Sequence, residues 1–288
     1  MPVPEKLFPE RLRRYRETTF NTRPGSALRS AEQAIQFVKR RGYILFWPNK
    51  GLDFPSLWCA VAGDRLVSDN HDDPAHKTWR WKDDMLGKNR WYYAKIIRQR
   101  STIISLEMLP FFYALSPNYG SPEEDYLIAY QDGLLSNEEK IVYETILKNG
   151  PLDTLTLRES AGLAASESSS RFNRALNLLQ RDFRILPVGV SDRGAWHYAF
   201  IYEASHRQFP GLVTQAKTIS DDVARKQILK AYLLALGVAS IKQMHKFFQW
   251  SDYSIRQTLQ GLIDEMFVAP TASPTQSGEE WFTITGLE

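Results

Sequence analysis

Five of the eight tryptophans, Trp47, Trp58, Trp79, Trp81 and Trp91, fall within 45 positions and are mixed with Lys50, Arg80, Lys82, Lys88 and Arg90. Aromatic faces interleaved with cations suit a nucleic acid whose base has left its stack, because stacking and phosphate contacts are then needed together. Some of these rings must instead fill a core. The stretch Gly42 to Trp58, GYILFWPNKGLDFPSLW, concentrates the pattern. Its apolar run Tyr43 to Trp47 reads as a strand that Pro48 stops, and Asn49-Lys50-Gly51 reads as a tight loop. Asp53 then stands as a helix cap, with Pro55 in the first helical turn. A strand end, a loop and a helix start carrying Trp47, Asn49, Lys50 and Asp53 would present those groups to a ligand.

Other chemistries find less support. His71-Asp72-Asp73-Pro74-Ala75-His76 crowds imidazoles and carboxylates together, but a spacing of five fits no helix-face pair and no distant cluster completes a ligand set. The run is expected to be a polar loop, with no metal. A Ser-His-Asp arrangement, a Gly-rich phosphate loop and a CxxC pair are all missing from the sequence, so no cofactor is expected. Cys59, the single cysteine, sits in an apolar stretch and reads as a small buried hydrophobe in a reducing cytoplasm. The opening residues carry no apolar signal core and no run is long enough for a membrane span, so a cytoplasmic protein is expected.

Charge is unevenly divided. Residues 1–105 hold 20 Lys/Arg against 11 Asp/Glu, residues 106–135 hold none against 5, and the remainder is nearly balanced, for a net +3 overall. A basic N-terminal region without a broad amphipathic membrane face points to nucleic acid as the polyanion partner.

The elements that must position these groups follow from periodicity. Phe8 to Phe20 forms a basic amphipathic helix; Ser30 caps a second, Ala31 to Arg41, which Gly42 stops. A helix over Lys77 to Leu86 precedes a hairpin within Trp91 to Leu106, and Pro117 to Pro122 marks a domain edge. From Ser136 the order is helix, helix, helix, hairpin, with helices over 136–148, 154–161 and 168–183 and strands over 185–190 and 197–202. From Asp221 the same order returns, over 221–236, 241–248 and 252–266, with strands 267–271 and 281–285. Ser168 and Ser251, Phe172 and Ile255, Leu176 and Leu259, Leu179 and Leu262, Phe183 and Met266, and Pro187 and Pro270 all differ by 83. A shared offset through helix, apolar stripe and strand entry implies two copies of one unit.

Three helices and a hairpin describe the winged-helix form of helix-turn-helix, whose third helix lies in a DNA major groove. The expected fold is therefore mainly α with small β-hairpins (α+β), built of tandem winged-helix domains. Residues 1–120 form a basic, Trp-rich, winged-helix-like domain, 121–210 the first clear winged helix and 211–288 the second. On the first, Ser169, Arg171, Asn173 and Arg174 of the third helix, with Arg193, Trp196 and His197 of the hairpin, are donors suited to phosphates and base edges. The second sets Arg256, Gln257 and Gln260 beside Asp252, Asp264 and Glu265, a poor groove reader and a candidate architectural or protein-binding module.

Ala34-Ile35 through Arg41-Gly42-Tyr43-Ile44, a short strand and loop, and then tandem winged helices resemble the AlkZ/YcaQ-like DNA glycosylases. The resemblance implies tandem winged helices and removal of alkylated or crosslinked bases. It also implies a Gln-x-Gln or Gln-x-Asp pair that positions water and stabilises the cationic sugar. Placed on this chain, that pair falls on Leu45 and Trp47. Neither offers an acceptor for a water or an oxocarbenium-like sugar. The chain therefore reads as a DNA-binding protein, for damaged or structured DNA, with a degenerate catalytic pair. Two alternatives stand beside it: an active glycosylase using Asp53, and a transcriptional or protein-interaction module.

Overall fold

The computed structural model describes residues 7–70, 72–118, 120–194, 197–272 and 278–287. Its contacts gather Met1–Thr78 with Asp221–Glu288 in one compact unit and Trp79–Ser220 in another.

In the first unit, α1 (Leu7–Thr19) precedes α2 (Ala31–Arg41), β1 (Tyr43–Leu45) and α3 (Leu57–Ala62). The Ser30 hydroxyl caps α2, and Gly42, at φ 79°, ends it in a conformation that favours glycine. The strand stops at Leu45, before Trp47. Helix α3 is capped by Ser56, whose Oγ accepts from the Cys59 N–H at 3.1 Å, and not by Asp53. The correction has a local cause. Leu45 N–H donates to the Pro55 carbonyl and Trp58 N–H, in the first turn of α3, to that of Phe46, so the chain bridges to Leu45 at Ser56, immediately before the helix begins.

The C-terminal part of this unit contributes α12 (Asp221–Leu236), β7 (Val238–Ser240), α13 (Ile241–Phe248), α14 (Asp252–Asp264), β8 (Val268–Thr271) and β9 (Trp281–Ile284), labels that continue the chain order given next. Its core draws on both the 1–78 and the 221–288 segments. Tyr43 stacks on Phe54 at 5.0 Å, and Phe54 meets Tyr232 at 5.5 Å and Phe247 at 4.8 Å. This grouping differs from the divisions 1–120, 121–210 and 211–288, because Tyr43 and Phe54 are buried with residues almost two hundred positions away.

The second unit runs through α4 (Lys77–Met85, which straddles the boundary), β2 (Tyr92–Lys95), β3 (Ser101–Ile104), α5 (Leu109–Ala114) and α6 (Asp125–Gln131). Then follow α7 (Asn137–Asn149), β4 (Leu152–Asp153), α8 (Thr154–Ser160), α9 (Ser169–Arg181), β5 (Ile185–Ser191), β6 (Ala199–Ala204), α10 (Ser205–Gln208) and α11 (Leu212–Lys217). The sheet order β4-β6-β5 matches β7-β9-β8, and each sheet is antiparallel. Helix-strand-helix-helix-strand-strand is thus used twice, the element order of a winged helix.

The offset of 83 extends to the backbone. Phe183 and Met266 both have positive φ, 57° and 55°, two residues past their helices. Arg184 N–H donates to the Leu179 carbonyl and Phe267 N–H to that of Leu262, so both third helices end in the same Schellman turn. Phe172, Leu176 and Leu179 of α9 pack with Tyr143, Ile146, Ile185 and Tyr202 in one core. The repeated apolar stripe is therefore the inward face, leaving the other face of α9 to solvent.

Candidate functional site

The stretch 42–58 belongs largely to the core of the first unit. Leu45 is 1% exposed, and Tyr43, Ile44, Phe46, Phe54 and Trp58 are as deeply buried or nearly so. Trp47 is half-buried, its ring 5.3 Å from Trp58 and 6.4 Å from His76. Asn49 and Leu52 close a turn whose tip exposes Lys50. Asp53 is exposed, and its Oδ2 accepts from Arg16 Nη1 at 2.8 Å. No paired carboxylate or amide stands at the strand: the two motif positions carry a core leucine and an indole.

The histidine-aspartate run is tied up in folding. Asp73 accepts from Arg65 at 2.6 Å and from the Ala75 N–H, and the Arg65 hydrogen bond holds its carboxyl down at about 2. His76 Nε2 meets the Ser68 carbonyl at 3.0 Å, while His71 lies outside the described residues. Among the described residues no group of three or more His, Cys, Asp or Glu is placed to hold a metal ion. Burial raises the Cys59 pKa, which disfavours a reactive thiolate.

In the second unit the tryptophans separate. Trp81 and Trp91 are buried, whereas Trp79 is 40% exposed, beside Arg80, whose side chain is open to solvent 3.7 Å from Asp84. Lys88 and Arg90 are exposed. Lys82 overturns its expected role as a phosphate contact, since it is 1% exposed. Its Nζ donates to the Tyr198 hydroxyl at 2.7 Å and pairs with Asp83 at 2.9 Å, and the Tyr198 hydroxyl donates to Asp83. Rings of Trp79, Tyr93, Tyr198 and Phe200 surround the ammonium at 4.6–5.5 Å. Burial lowers the Lys82 pKa, opposed by Asp83. Asp83 balances this cation inside the fold while the surrounding rings give it cation–π contacts.

Helix α9 exposes what the sequence singled out. Arg171, Asn173 and Arg174 face solvent and Ser169 is half-buried. Arg171 is drawn to Glu138 at 3.1 Å, and Arg174 has no ion-pair partner among the described residues. At the hairpin, Arg193 is engaged by Asp153 at 3.2 Å and by Thr156, which ties the wing to the cap of α8. His197 is exposed with φ 49°; Trp196 lies outside the described residues. The equivalent face of α14 is different. Arg256 is held by Asp252 at 2.7 Å and by both oxygens of Glu280, and Gln260 donates to Asp264. Its cation is cancelled where that of α9 is available.

The AlkZ-related family matches residues 28–249, more than half of the sequence. The chain belongs to this AlkZ-related family. In fold it is similar to the Streptomyces sahachiroi DNA glycosylase AlkZ, with a TM-score of 0.56 and 15% identity, covering 96% of this chain and 69% of that one. No curated protein matches the sequence. The AlkZ-related assignment spans β1, α4 and the elements from α7 to β6, so Leu45, Trp47 and α9 all lie within the matched residues. No helix among the described residues is long and apolar enough to cross a membrane.

Proposed function

We propose that this AlkZ-related chain binds duplex or damaged DNA and has lost the family's hydrolytic pair. The observation that carries the reading is the fate of β1. At Leu45 an aliphatic side chain is sealed in the core, and at Trp47 a half-buried indole packs on Trp58 and His76. Neither side chain has an oxygen to orient water or to balance positive charge developing on a sugar. Trp47 is the one aromatic ring of residues 43–58 that keeps surface to offer, and an unstacked base is a fitting contact for it. The solvent face of α9, with Arg171, Asn173 and Arg174 and few acids, supports DNA as the partner.

Asp53 is a poor substitute acid, because Arg16 already holds its carboxylate and it stands on the surface. The test is a single-turnover assay for base release from alkylated and crosslinked duplexes, at protein concentrations that saturate binding. The proposal expects a bound duplex and no free base. Base release that Asp53→Asn abolishes would instead establish the glycosylase reading.

A further inference from the structure

The hairpin of β2 and β3 turns through residues 96–100, a segment that contributed nothing to the binding residues expected from sequence. Arg98 and Gln99 are consecutive non-glycine residues in the left-handed region, at φ 52° and 55°. Such a conformation is costly for residues with a Cβ and persists only where its surroundings enforce it. Here they do. Ile96 and Ile97 are buried, Arg100 N–H donates to the Ile97 carbonyl, and Thr102 Oγ1 both donates to the Arg100 carbonyl and accepts from the Ile97 N–H. The result is a fixed tip that turns Arg98, Gln99 and Arg100 to solvent.

This tip stands beside α9, which packs against β2 and residues 97–99. Buried Gln180 makes the joint, its Oε1 accepting from the Lys95 N–H at 3.3 Å and its Nε2 donating to the Leu176 carbonyl. Asn173, two turns before Gln180, shares that side of the helix, and Arg174 follows on the adjoining solvent face. Arg100 has no ion-pair partner among the described residues. Burial and the charge of Arg100 together lower the Lys95 pKa, so these two cations stand close together at the base of the tip.

Resting on the reading of the chain as a DNA binder, we infer that the 96–100 tip and the exposed face of α9 form one continuous contact surface for the phosphates of B-form duplex DNA. Arg100 and Arg174 each neutralise a phosphate, with Asn173 and Gln99 as neutral donors between them. B-form is specified because the deep, narrow major groove of A-form RNA excludes a helix.

The test is the salt dependence of binding by the full chain to an undamaged duplex. Each lost phosphate contact is expected to reduce the slope of log K against log salt by about 0.9. Arg100→Gln and Arg174→Gln should each do so, the double variant should lose about twice as much, and Arg100→Lys should retain the slope. Unchanged thermal midpoints would keep these readings separate from misfolding. A slope unaltered by Arg100→Gln but reduced by Arg174→Gln would overturn this surface and leave DNA binding standing. Salt-insensitive binding by the unsubstituted chain, or equal affinity for duplex RNA, would also overturn it, the former together with the DNA-binding reading.

Discussion

Arg16 holds Asp53 at 2.8 Å with one nitrogen and donates with the others to the carbonyls of Leu236 and Val238, at 2.9 and 3.0 Å. Tyr15 and Thr19 of the same helix donate to the carbonyls of Leu234 and Ala235, both at 2.6 Å. Helix α1 therefore satisfies the last carbonyls of α12, groups that no intrahelical donor reaches. One of the basic residues on α1 is thus consumed in capping, and Asp53 is its surface counterion.

That division of labour sets unequal costs. Arg16→Ala should lower stability by about 1–3 kcal/mol, because it strands the Leu236 carbonyl at the end of α12 and the Val238 carbonyl at the start of β7. Asp53→Asn, which removes only an exposed partner, should cost less than about 1 kcal/mol. Denaturant unfolding of the two variants measures this; a larger loss for Asp53→Asn would give the carboxylate a role beyond pairing.

Asp125 and Arg184 form a buried ion pair in the second unit, 2.6 Å apart and each 1% exposed, with the guanidinium also reaching the Pro117 carbonyl. Asp125→Ala leaves a buried cation without its anion and should destabilise by about 3–5 kcal/mol. A loss below about 1 kcal/mol by chemical denaturation would contradict the pairing.

Under the proposed DNA-binding reading, Lys82 is a structural cation and Arg174 a contact to DNA. Lys82→Met should leave DNA affinity and its salt slope unchanged, since the ammonium never reaches the surface. Arg174→Gln should weaken binding similarly across duplex sequences. Fluorescence anisotropy on several duplexes checks both, and a reduced slope for Lys82→Met would mean that the aromatic cage opens on DNA.

His206 gives a pH dependence. Burial lowers its pKa below the ordinary 6.5, with Glu123 at 3.6 Å pulling the other way. The unfolded chain therefore takes up this proton at higher pH than the folded one, so stability should fall as pH drops below 6.5 toward the folded value. Paired carboxylates such as Glu123 add their own loss only below 4.5. Thermal midpoints between pH 7 and 5 should decline less in His206→Gln than in the unsubstituted chain.

The sequence was most legible where the determinants are local. Ser30 and Gly42 bound α2, Ser136 and Glu139 form a capping box on α7, and the apolar stripes spaced by 83 emerge as matched helices with matched C-terminal turns. Asp53 was misplaced as a cap because Ser56 serves equally well in sequence, and only the bridge between Ser56 and Leu45 of β1 selects it. Lys82 read as a surface cation because its cage comes from Tyr198 and Phe200, more than a hundred residues away. The grouping of 1–78 with 221–288 was hidden for the same reason. Among the tryptophans, nothing local distinguishes the buried Trp58, Trp81 and Trp91 from Trp47 and Trp79.

The most direct measurement is the affinity of the full chain for duplex DNA between about 50 and 200 mM salt, where released counterions make affinity fall with salt. The account predicts binding that weakens steeply over this range. Affinity that is undetectable at the lower concentration, or identical at both, would contradict it.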